Sequence, residues 1–231
     1  MSTGLVVAID GPSGSGKSSV SRAVASRLGV GYLDTGAMYR ALTWWCLERR
    51  LDLDDADAVA AAAAALPLVI GLDAQAPTVE VDGADVGAAI RETRISEAVS
   101  AVATNLAVRA NLRGRQRRLI AEAVASRGGV VAEGRDITTV VAPDADVRVL
   151  LTASEAARLQ RRARELLGSA DAASLAAIHA QIVHRDQRDS TVSQFTEAAD
   201  GVVLVDTSGL DLDGSVEAVL QVVAAVSGRR G

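Results

Sequence analysis

The sequence predicts an α/β fold, a doubly wound parallel sheet carrying a phosphate-binding loop, and three observations predict it. Short β-branched apolar runs recur along the chain ("LVVAI", "VGYLD", "GGVVAEGRD", "DVRVLLTA", "GVVLVD"), the pattern of strands buried on both faces. Segments of helical periodicity lie between them, the first being "KSSVSRAVASRL". The turn that joins the first run to that helix meets the pattern G-x-x-x-x-G-K-S at Gly11, Gly16, Lys17 and Ser18.

That turn is the most informative stretch. Its glycines let successive N–H groups point inward at an anion, and the helix that follows presents a terminus favouring negative charge. Gly11, Pro12, Ser13, Gly14, Ser15, Gly16, Lys17, Ser18 and Ser19 form the candidate nucleotide-phosphate site. Lys17 supplies a point charge for the β- and γ-phosphates and Ser18 a hydroxyl for magnesium. Of the 24 Lys and Arg residues, Lys17 is the only lysine.

The elements follow in order. After the first helix, "VGYLD" is a second strand and "TGAMYRALTWWCLERR" a helix, with Tyr39, Leu42, Trp45 and Cys46 near helical spacing. The alanine-rich tract before Pro67 reads as helix. The pattern then changes: "LPLVIGL", "TVEVDG" and "ADVGAAI" read as small antiparallel strands, and two helices follow from about Thr93 to Ser126. Residues 66–105 are expected to form an inserted lobe on a single core of 1–231. The core resumes with the strands ending at Glu133 and Ala153, and "GVVLVD" with a helix from Leu212 to Val226 closes the sheet.

Composition narrows the function. A net charge of −5 and a pI near 5.1 argue against binding duplex nucleic acid or an anionic membrane. Lone Cys46 has no internal disulfide partner, which fits a reducing cytoplasm, and its helical setting reads as packing. With only His179 and His184 besides, thiolate or imidazole metal chemistry is not expected. "VAAAAAALPLVIG" is short and interrupted by Pro67, so no membrane span is expected, and the protein is expected to be a cytoplasmic monomer. A guanine-reading Asn-Lys-x-Asp loop is excluded, because the one lysine is already in the phosphate loop.

Phosphoryl transfer needs a second anion site, and arginine suits it because a guanidinium clamps phosphate oxygens in pairs. Arg40 follows "DTGAMY", Arg135 lies just past a core strand, and Arg185 and Arg188 lie in "HRDQRD". The carboxyl ends of parallel strands share one edge, which places Thr35, Arg40, Glu133, Arg135 and Asp136 around one crevice. Glu133 ends an apolar strand, where a carboxylate holds magnesium or its waters. Arg158, Arg161 and Arg162 share a helix face, and with the charged helix after them they outline a helical lid over 157–190.

These blocks resemble the bacterial-type cytidylate kinases, P-loop nucleoside-monophosphate kinases that pass the γ-phosphoryl of ATP to CMP or dCMP. The likeness runs nearly end to end, through "IDGPSGSGKSS", "YLDTGAMYRALT", "ADVGAAIR", "SAVATNLAVRANLRGRQR", "VVAEGRDITTVVAPDADV", "LTASEAARLQRRA" and "RDQRDST". The resemblance implies a nucleoside-monophosphate-binding role for the inserted lobe and ATP with Mg2+ as cofactors. It implies that Ser100, Arg109 and Asp136 read the cytosine. Thr35, Arg40, Arg135 and Arg185 would hold the acceptor phosphate, and Asp189 would accept from the sugar hydroxyls. Lys17, Arg135, Arg185, Arg158 and Arg162 would neutralise the charge that develops during transfer.

The chain departs from the family pattern at three positions. Val192 stands where arginine commonly follows "DST", Thr138 where glycine is usual and Ala142 where an aromatic is usual. Two other readings stay open on the sequence: a kinase of the same fold acting on UMP or a small hydroxyl substrate, and a nucleotide-binding regulator without catalysis.

Overall fold

The computed structural model describes residues 4–167, 180 and 183–227, with their side chains apart from those of 162–167 and 227. Five parallel strands make the central sheet: β1 (Leu5–Asp10), β2 (Gly31–Asp34), β6 (Gly129–Gly134), β7 (Val147–Thr152) and β8 (Val203–Asp206). Their order is β2-β6-β1-β7-β8, with β1 at the centre, and every pairing is parallel.

Alternation along β1 explains the two layers. Val7 and Ile9 pack with Val20 and Val24 of α1 (Lys17–Leu28) and with Val216 and Val219 of α8 (Leu212–Ser227). Ala8 faces the opposite layer, with Met38 and Leu42 of α2 (Thr35–Glu48) and Leu112 of α5 (Leu106–Arg127). A strand covered on both faces must be apolar at every position, which is why these runs lack polar alternation. Cys46 is a buried thiol within the second layer, and burial pushes it up to about 11.

Between α2 and α5 the chain forms α3 (Ala56–Ala65), then the strands β3 (Leu68–Ile70), β4 (Val79–Val81) and β5 (Ala84–Asp85), which make their own antiparallel sheet. A 3-10 turn, Ala89–Arg91, leads to α4 (Thr93–Ala103). Thr104 ends that helix and Asn105 starts the next, its side chain accepting from the N–H groups of Ala107 and Val108. After β7 come α6 (Glu155–Leu167) and a helix α7 over residues 183–190. The expected lid over 157–190 therefore lies partly outside the described residues, as do His179 and the side chain of Arg162. No helix among the described residues is long and apolar enough to cross a membrane.

Candidate active site

The register of the sheet assembles the site. Asp34 pairs with Glu133, and Ile9 with the same Glu133, so the ends of β2, β6 and β1 meet where the phosphate loop begins. In that loop Gly14 has φ +76°, and a Cβ there would lie 2.9 Å from the carbonyl oxygen of Arg158, so only glycine fits. Gly16, at φ 89°, turns the chain into α1.

Lys17 donates to the Pro12 carbonyl at 2.8 Å, curling over the loop. Desolvation, with Arg135 close by, lowers its ammonium to about 8. Glu133 is buried and moves the other way, raised by desolvation and then by the Asp34 charge. Lys17 and the hydroxyls of Ser18 and Tyr32 oppose that rise, the Tyr32 phenol donating at 2.8 Å. A buried carboxylate beside a serine hydroxyl, left short of positive partners, has the chemistry of a magnesium seat that keeps its waters. Among the described residues no group of three or more carboxylate, imidazole or thiol side chains gathers.

Opposite Lys17 the structure brings the arginines together. A cleft of about 250 Å3 is lined by Lys17, Ser18, Glu133, Arg40, Arg135 and Arg185. Burial and the nearby guanidinium groups of Arg40 and Arg135 pull Arg185 below the ordinary arginine range. So many cations in one cleft need anions, and two carboxylates of α7 supply them. Arg135 pairs with Asp186 at 2.9 Å and with Asp189 at 3.0 Å. Asp186 also pairs with Arg158 and accepts the Ser13 N–H of the phosphate loop at 3.0 Å. Arg40 reaches the Ser96 hydroxyl at 2.9 Å, whereas Thr35 gives its hydroxyl proton to the Glu133 carbonyl at 2.7 Å.

A smaller cavity of about 50 Å3 adjoins the arginines, lined by Tyr39, Arg109, Asp136, Arg185, Asp189 and Ser193 among others. Arg109 donates to Asp136 at 2.6 Å and to Ser193 at 2.7 Å, all three buried. Ser100 donates to Asp189 at 3.1 Å from behind the wall. Arg109 Nε and Arg185 Nε are buried without a hydrogen-bond partner. Orphaned buried polar atoms lining one small cavity suit a polar ligand.

A third space of about 380 Å3 runs past Gly14, Gly16 and Arg161 to Leu210, Asp211 and Leu212. Arg161 fixes its wall by donating to the carbonyls of Ser15, Thr207 and Leu210.

This arrangement joins a phosphate loop, a facing arginine cluster and a polar side pocket, and comparison with known proteins gives it a family. The cytidylate kinase family model matches residues 7–225. The chain belongs to the cytidylate kinase family. A cytidylate kinase of Rhodococcus opacus is 51% identical over 97% of this chain and 96% of its own length. Cytidylate kinases of Streptomyces avermitilis and Cutibacterium acnes are 46% and 49% identical, each over 95% of this chain and over 92% and 96% of their own lengths.

For this cytidylate kinase family member, sequence reasoning missed five residues that touch the site. Tyr32 holds Glu133, Asp186 bridges the loop and two arginines, Ser193 accepts a hydrogen bond from Arg109, Arg113 stands near Asp136, and the ring of Phe195 lies 4.2 Å under the Arg135 guanidinium. Tyr32 had a usable signal, one position before the apolar end of a strand that neighbours Glu133. Two of the family departures have structural partners. The Thr138 hydroxyl and amide both donate to the buried Asp10 carboxylate, and Ala142 packs in the core.

Proposed function

We propose that the chain passes the γ-phosphoryl of ATP directly to the phosphate of CMP or dCMP in the cleft between Lys17 and the arginines. The observation that carries this reading is the shared cleft, in which Lys17 and Ser18 of the phosphate loop face Arg40, Arg135 and Arg185. Two phosphate chains repel each other, so a site that joins them must bring cations from both sides.

In this reading the loop from Gly11 to Ser19 holds the donor phosphates, and the space beside Arg161 and Leu210 takes the donor base. Arg40, Arg135 and Arg185 hold the acceptor phosphate with Thr35, and Asp189 receives the sugar hydroxyls. Ser100, Arg109 and Asp136 read the base. Cytosine offers an exocyclic amine to the carboxylate and acceptors to the guanidinium and hydroxyl, whereas uracil presents a carbonyl to Asp136. Residues 66–105 serve as the acceptor-side lobe and 157–190 as the lid, with Arg158 and Arg162 adding charge over the transferring group.

The acceptor oxygen is already anionic and needs little help from a general base. Catalysis then rests on alignment and on neutralising charge at the equatorial oxygens. Ser18 and Glu133 would hold Mg2+, which supplies charge neutralisation at the donor phosphates. The protein would work as a cytoplasmic monomer.

The test is ADP release from Mg-ATP with CMP, dCMP, UMP and AMP offered in parallel against an acceptor-free blank. Rapid release with CMP and dCMP and slow release with UMP is the expected result. Equal rates with all four would remove the base-reading assignments, and no acceptor-dependent release would remove the transfer reading.

A further inference from the structure

Behind the wall of the polar side pocket stands one charge that the reading above leaves unused. Asp136 is buried, and its Oδ2 accepts from Arg109 at 2.6 Å. A second guanidinium, that of Arg113, stands 3.5 Å from the same oxygen. The two arginines are four residues apart on α5, so they project from successive turns of one face.

They are not equivalent. Arg109 is tied down by the Ala103 carbonyl and the Ser193 hydroxyl as well as by Asp136. Arg113 pairs with Asp136 alone among the described residues, and its Nε is buried without a hydrogen-bond partner. An arginine that fastens no other group serves the fold little, and what it brings to the pocket is its charge.

We propose that Arg113 is a positioning residue that sharpens the choice of acceptor base by acting through Asp136. The inference rests on the reading of Asp136 as the group that receives the cytosine amine. A carboxylate accepts from an amine only with a lone pair facing the base, and guanidinium groups held on its other oxygen fix that orientation. With both guanidinium groups gathered at Oδ2, the other oxygen, to which no described residue donates, is left for the ligand. Uracil places a carbonyl oxygen at that position and gains nothing from a firmly held carboxylate, so Arg113 acts on the cytosine complex alone.

The experiment is steady-state kinetics with CMP and with UMP on the wild-type protein and the Arg113→Met, Arg113→Gln, Arg113→Lys and Asp136→Asn variants. The Arg113 side chain is 31% exposed, so methionine fits without a cavity, and glutamine gives a second neutral replacement. Both neutral variants are expected to raise the KM for CMP about threefold to tenfold, the range for a half-exposed charge acting on a buried partner. The kcat with CMP and the kcat/KM with UMP are expected to stay within about twofold of the wild type. The lysine variant, which keeps the charge, is expected to recover part of the loss.

An unchanged CMP-to-UMP ratio in the neutral variants, an equal loss on both substrates, or a lysine variant no better than methionine would overturn the proposal. If Asp136→Asn also left the ratio unchanged, the reading of the base site would fall with it. A ratio that collapses in Asp136→Asn but not in Arg113→Met would overturn the role of Arg113 alone.

Discussion

Asp186 accepts the backbone N–H of Ser13 at 3.0 Å, so a carboxylate of the protein rests on an amide of the phosphate loop. The same side chain pairs with Arg135 and Arg158, which makes it an internal anion between the loop and its arginines. A donor phosphate seated at Ser13 meets that negative charge. Asp186→Asn is therefore expected to tighten Mg-ATP binding about threefold to tenfold, with a steeper salt dependence. Isothermal titration without acceptor checks this, and unchanged or weaker binding would show that Asp186 orders the arginines rather than competing with the donor.

Arg185→Ala is expected to cut turnover with CMP by at least about a hundredfold while leaving Mg-ATP affinity within a few-fold of the wild type, as for the loss of one charge aimed at the transferring group. Arg185 sits beside Arg40 and Arg135 in the cleft and pairs only loosely with Asp189, at 3.7 Å. Turnover unchanged in the variant would withdraw Arg185 from the acceptor-phosphate site.

Val192 follows directly on the turn where its own N–H donates to the Asp189 carbonyl, and it precedes Ser193, a partner of Arg109. An arginine there would add a cation beside the acceptor pocket. Val192→Arg is expected to lower the KM for CMP by about threefold or more, and a KM that stays level or rises would show that the pocket is already neutralised.

Cys46 is buried, and burial raises its thiol to about 11, above the value near 9 of an unburied thiol. The native protein thus keeps a proton that the unfolded chain gives up, so this group's contribution to stability is complete below about pH 9 and is lost as pH rises through about 11. Two measurements check it. Iodoacetamide labelling at pH 8 is expected to be negligible until the protein unfolds, and Cys46→Ala is expected to flatten the alkaline end of the stability profile; rapid labelling of the native state would contradict the burial.

Features that depend on nearest neighbours were legible in the sequence. The phosphate-loop pattern spans eight consecutive positions, Gly11 to Ser18, and the sheet strands read as mainly apolar runs, so Lys17, Ser18 and Glu133 could be placed at one edge from topology alone. Arg40 and Arg135 meet in one cleft because they follow the converging ends of β2 and β6, and Arg185 joins them from α7. The rest turns on where the segment after α7 comes to lie. Nothing in "DSTVSQF" says that Phe195 ends under Arg135 or that Ser193 reaches Arg109, since both contacts span long stretches of chain. Asp186 was hidden for the same reason, and in a charged helix it reads as an ordinary surface acid until α7 is laid against the loop. The turn Ile137–Val141, wound with the wider π-helical spacing, had no local signal either, because the anchoring carboxylate of Asp10 belongs to a strand far away in sequence.

The single lysine has a chemical corollary. Most proteins carry many ε-amines, and a reagent that acylates them is spent on harmless surface positions. Here the one ε-amine is Lys17, with its ammonium lowered to about 8, so a larger share of it is the nucleophilic neutral amine at neutral pH than in an ordinary lysine. Acetyl donors that reach this chain find one lysine to modify, at the centre of the phosphate loop, and a single acetyl group on it would cancel the charge that the loop is built around.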